Sequence, residues 1–136
     1  MSTDLRSVRA RRGTSTLEFL VVLPTLLLLF LASIELSRAW LTLNLVTQAA
    51  REGARVGAVT APFNPTPAIN RINEVLSGAN LTSAATSVTC AAPCAADSLV
   101  QAVVTVNFTT VVPLMIPVLA GPIPITDTAI VRFEGP

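Results

Sequence analysis

The stretch Arg11-Arg12-Gly13-Thr14-Ser15-Thr16-Leu17-Glu18-Phe19, followed by the apolar run Leu20 to Ile34, decides how this chain is built. A basic flank ends at Arg12, a glycine follows, and one carboxylate lies five residues after that glycine. From Thr14 to Ile34 a helix rising about 1.5 Å per residue is roughly 31 Å long, close to the thickness of a hydrocarbon core. Between Phe19 and Ile34 only Pro24, Thr25 and Ser33 are not strongly apolar. A helix that is apolar on every side is a membrane span or the centre of a large core, and a chain of 136 residues can hardly surround one.

The flanks give the orientation. Arg6, Arg9, Arg11 and Arg12 precede the span, opposed only by Asp4, whereas Arg38 beyond it is matched by Glu35. Positive charge stays cytoplasmic, so the amino end is expected inside and the carboxyl end outside. Trp40 suits the outer membrane–water interface, and packing against an outer domain suits it equally. Glu18 is the anomaly. A carboxylate in hydrocarbon costs several kcal/mol unless paired or protonated, which marks it as functional. The alternative is a side chain that reaches back to the headgroups. Pro24 removes one amide donor and frees the Leu20 carbonyl, which Thr25 is a candidate to satisfy.

Gly13-Thr14-Ser15-Thr16-Leu17-Glu18-Phe19 resembles the prepilin-peptidase motif of type IV pilins and pseudopilins, a glycine, four residues, glutamate and an aromatic. Together with Val22-Leu23-Pro24 and Gln48-Ala49-Ala50-Arg51-Glu52-Gly53-Ala54-Arg55, it is similar to the TadE-like minor pseudopilins of the tight-adherence (Flp) pilus system. The resemblance implies processing between Gly13 and Thr14 and a new amino terminus at the head of the helix. Glu18 would then pair with a neighbouring subunit, since a carboxylate and an amine are each costly in lipid alone and less so together. It implies as partners the prepilin peptidase, other minor and major pilins, and the inner-membrane assembly platform, besides membrane lipid. The roles implied are pilus initiation, adhesion or related secretion, from the bacterial cytoplasmic membrane or within an extracellular pilus.

Three parts are expected: a basic cytoplasmic leader over 1–13 that is cleaved, a helix over 14–58 that spans the membrane over about 14–34, and an extracytoplasmic domain over 59–136. Beyond the span the helix continues without proline to Ala58, with Leu36, Trp40, Leu43, Thr47 and Ala50 on one stripe. Ala49, Gly53 and Gly57, and likewise Ala50, Ala54 and Ala58, are small residues four apart. Such a face admits close approach of another backbone, or of the chain's own sheet.

Pro62, Pro65 and Pro67 end this helix. Thr66 is expected to cap a second helix with Pro67 at its first position, Ile69, Ile72, Val75 and Leu76 on its apolar face, and Gly78 as its stop. Strands are expected over 84–90, 98–110 and 126–134. The middle one is clearest, with Val100, Ala102, Val104, Val106 and Phe108 alternating against polar neighbours. The proline-rich stretch Val111–Ile125 reads as an apolar loop, barred from a central strand. The fold class is therefore α+β: a long transmembrane helix carrying one short helix and about three antiparallel strands.

Cys90 and Cys94 lie in the part expected outside, where a disulfide is permitted. No metal site is expected, because there is no histidine and two thiolates supply half a structural zinc set. No cofactor motif or catalytic constellation is present: histidine and tyrosine are absent, the eight carboxylates are scattered, and there is no phosphate-binding loop. Removing residues 1–13 takes away four arginines and Asp4, so the formal charge falls from +1 to −2 and no basic surface for nucleic acid remains. Two other readings stand beside the pilin-like one. The first is an unprocessed single-pass membrane protein whose outer domain binds a partner through the Val111–Ile125 loop. The second is a secretory signal over residues 1–32, against which Glu18 and the missing A-x-A site both speak.

Overall fold

A computed structural model describes residues 5–110 and 121–134, with side chains in the first helix described from Thr16 onward. The chain divides into two units, Met1–Leu36 and Ser37–Pro136. Helix α1 (Leu5–Val59) begins in the first and ends in the second, and is followed by α2 (Pro65–Gly78), β1 (Ser83–Cys90), β2 (Leu99–Phe108) and β3 (Ile123–Arg132). The architecture is α+β with a candidate membrane helix. Among the described residues one helix, Thr16–Val59, is long and apolar enough to cross a membrane, and none of its most apolar window is buried.

In the first unit the helical backbone starts at Leu5, ahead of the expected start at Thr14. Pro24 lies inside it. The Thr25 hydroxyl donates to the Val21 carbonyl at 3.0 Å, not to that of Leu20. A helical hydroxyl reaches back three or four residues, and Leu20 is five away. Leu17, Phe19, Leu20, Val21, Leu23, Leu26, Leu29 and Phe30 are all exposed.

The second unit has its own core. β2 is the central strand of a three-stranded antiparallel sheet in the order β1-β2-β3. Its alternating residues Val100, Ala102, Val104, Val106 and Phe108 are buried, as their spacing requires. The first four pack with Val46, Ala49, Ala50 and Ala54 of α1, and with Ala68, Ile72 and Leu76 of α2. At the far end the Glu134 amide donates to the Ala58 carbonyl at 2.9 Å, and the Phe63 and Phe133 rings meet edge to face. Arg71 of α2 stands between Glu74 at 2.9 Å and Glu52 of α1 at 3.7 Å. The hydrogen bond and charge of Glu74, aided by Glu52, hold its guanidinium above the ordinary arginine pKa. All three are solvent-exposed, so this link orients more than it stabilises.

Several expectations are corrected in detail. The cap of α2 is Asn64, whose side chain accepts from the Thr66 amide at 2.9 Å. The helix therefore starts at Pro65, the first of two prolines whose missing amides leave nothing unsatisfied in a first turn. Gly78 is the last helical residue, but the left-handed turn after it is made by Asn80, with φ 56°. β3 begins at Ile123, inside the stretch read as loop. The Phe133 amide donates to the Ser98 carbonyl, so odd residues of β3 bond β2 and even residues face the open edge. Pro124 is even, and its missing donor faces no partner. The rest of the expected loop, 111–120, lies outside the described residues.

Candidate functional site

The sequence points to three places: the Gly13–Glu18 stretch, the small-residue face of α1, and the cysteine pair. Gly13 and Thr14 have helical backbone within α1. Glu18 follows one turn later, is exposed, and makes no hydrogen bond or ion pair among the described residues. Its neighbours Leu17, Phe19, Leu20 and Val21 are also exposed, so the carboxylate lies on a helix surrounded by apolar side chains.

The small face is covered by the chain's own domain. Ala49, Ala50 and Ala54 are fully buried, and Gly53 and Gly57 are buried with them. A Cβ on Gly53 would collide with Cγ1 and Cδ1 of Ile72, so α2 crosses α1 at the point where α1 has no side chain. A Cβ on Gly57 would lie 3.1 Å from Cγ1 of Val100 and 3.2 Å from Cγ1 of Val88, so the sheet closes on the next turn. Of the two readings open in the sequence, close approach of another chain or of the chain's own elements, the structure places the chain's own α2 and sheet there.

Of the stripe expected at Leu36, Trp40, Leu43, Thr47 and Ala50, only Ala50 is buried. Thr42, Val46, Ala49 and Ala50 are buried, whereas Trp40 is 66% exposed and Leu43 38% exposed. Spacing fits both stripes; the smaller side chains win because the sheet and α2 must come close. Leu41, 59% exposed, was not singled out by its spacing, since it lies off the stripe. Beside it the Arg38 guanidinium lies over the Phe108 ring, 5.4 Å from the centroid. This contact joins residues far apart in the chain, and no local pattern announces it.

Cys90 and Cys94 form a disulfide that closes a tight loop after β1. Ser98 orders that loop: its hydroxyl donates to the Pro93 carbonyl at 3.0 Å and accepts from the Ala95 amide at 3.1 Å. Arg132 of β3 pairs with Asp97 at 2.9 Å beside it. Among the described residues no three potential metal-ligating side chains cluster.

Comparison with known proteins places one part of the chain. Residues 13–55 match the family described as TadE-like protein, which is consistent with a TadE-like protein of the Tad pilus system. That family is structural and pilus-associated, not known as enzymatic. The match runs from Gly13 through Glu18 and most of the small face, and leaves α2 and the sheet outside it. No curated protein and no solved structure matches the chain.

Proposed function

We propose that this chain, whose residues 13–55 match TadE-like proteins, is a minor pseudopilin of a tight-adherence pilus. Its precursor is held in the bacterial cytoplasmic membrane by the apolar part of α1, with the amino terminus inside and the folded domain outside. Prepilin peptidase cuts after Gly13, and Thr14 becomes the new amino terminus. Glu18 then pairs with the terminal amine of a neighbouring subunit, and the inner-membrane platform gathers the chain with other minor and major pilins. The subunit contributes to pilus initiation, adhesion or related secretion by position, not by catalysis.

One observation carries this reading. The family match opens at Gly13 and includes Glu18, and it lies on a helix whose apolar window is not buried by the chain's own fold. A carboxylate inside such a segment, with no partner among the described residues, is satisfied at least cost by a cation from a second subunit.

The test is the amino-terminal sequence and intact mass of the protein purified from membranes, with and without active prepilin peptidase. A start at Thr14 that depends on the peptidase is expected. A start at Met1 under both conditions would refute processing and leave an unprocessed membrane-anchored binding domain. Glu18→Ala is expected to leave insertion and cleavage intact while abolishing incorporation into the pilin complex. Undiminished piliation in that variant would remove the pairing role.

A further inference from the structure

Where α1 enters the folded domain, the domain leaves part of the helix open, and that part changes character over one turn. Trp40, Leu41 and Leu43 are 66%, 59% and 38% exposed. At about 100° per residue these three spread over most of the circumference that the domain does not cover. They form a partial ring rather than a single stripe. The next outward positions, Asn44, Gln48, Arg51 and Arg55, are exposed and polar or charged. A docking helix would call for one apolar stripe carried on along the same side. A surrounding medium that ends at one level produces a ring that stops at one level.

We infer that the Trp40–Leu43 turn and the adjoining Arg38–Phe108 stack lie in the interfacial layer of the bilayer, so that the folded domain seats directly on lipid headgroups. The inference rests on the membrane-anchor reading and adds where the membrane ends. Trp40 sits at headgroup level, where tryptophan is enriched. Arg38 is two residues lower and exposed. Its long stem lets the guanidinium rise to the phosphates, and the face of Phe108 holds it at that level. Phe108 ends β2 and is opposite Ile123 at the start of β3, so this end of the sheet shares that height. The partner is the lipid surface, through apolar contact and a charge-assisted bond from guanidinium to phosphate.

Trp40 is the only tryptophan and there is no tyrosine, so intrinsic fluorescence reports this turn alone. The full chain would be reconstituted into phosphatidylcholine vesicles carrying a spin label either at the headgroup or in mid-chain. The expected result is loss of emission that is greater with the headgroup label than with the mid-chain label, and weak quenching by aqueous acrylamide. Strong acrylamide quenching without lipid-label quenching would place the turn above the membrane and overturn the inference. Protection from acrylamide and from both lipid labels would mean that protein covers Trp40, and greater loss with the mid-chain label would mean that it is submerged; either overturns it too. Failure of the chain to float with vesicles would overturn the anchor reading itself. The three quenching outcomes leave that reading standing.

Discussion

At the scale of single residues, Gly53 holds the tightest position in the fold. Alanine there meets Ile72, which is fully buried and has no room to turn away. Overpacking of this kind costs about 1–3 kcal/mol, while glycine to alanine in a helix gains about 1 kcal/mol. The collision wins, and Gly53→Ala is expected to lower stability by about 1 kcal/mol in urea unfolding followed by circular dichroism. With Ile72→Ala in place the colliding atoms are gone and the sign reverses, so that Gly53→Ala then stabilises by up to about 1 kcal/mol. Equal effects in both backgrounds would show that α2 does not press on Gly53. The spacing of Ala49, Gly53 and Gly57 made a close-packed face legible from sequence alone. What covers it was not legible, because a small residue suits a foreign helix and the chain's own sheet equally well. Trp40 posed a similar problem: the membrane–water interface and packing against the outer domain suited it equally, and the position of the sheet and α2 leaves it open.

At the scale of elements, the half-buried strand was the most readable feature. β2 alternates because one face meets the helices and the other meets solvent, and the alternation needs no knowledge of topology. β3 was harder, since Pro124 argues against a strand until its place on an outer edge is known. The same edge is blunted four residues on, where the Asp127 carboxylate accepts the Thr128 amide at 2.8 Å and occupies a donor otherwise open to a passing strand. The start of α2 shows how two adjacent capping candidates mislead. Asn64 and Thr66 each precede a proline, and only the backbone decides between them. Asn64 is extended, at φ −138° and ψ 120°, and its carbonyl oxygen faces the helix. Asn64→Ala is therefore expected to cost about 1 kcal/mol, and Thr66→Ala a few tenths at most. Paired urea midpoints measure both, and a larger loss at Thr66 would return the cap to that residue.

At the scale of the whole molecule, the proposed orientation rests on a few arginines, and the disulfide makes it measurable. A bond between Cys90 and Cys94 forms and persists in an oxidising compartment, whereas cytosolic thiols stay reduced. On the proposed membrane-anchor reading, the cysteine pair thus records which side the folded domain reached. Arg6, Arg9, Arg11 and Arg12 precede the span, and Arg38, Arg51 and Arg55 follow it, offset in part by Glu35 and Glu52. Replacing the four leader arginines with glutamine leaves the positive excess on the far flank, which favours retention of that flank inside. In the native chain, alkylation with a mass tag in intact cells followed by denaturation is expected to find no free thiol. In the four-glutamine variant a substantial fraction is expected to carry two tags per chain. The closed loop is short, so the disulfide contributes about 2 kcal/mol or less, and the domain has a helix-and-sheet core to fold around without it. A Cys90→Ser, Cys94→Ser double variant that still unfolds cooperatively would separate loss of the bond from loss of the fold. Two tags on the native chain would place the domain in the cytoplasm, and would contradict the topology on which both the pilin role and the lipid seat depend.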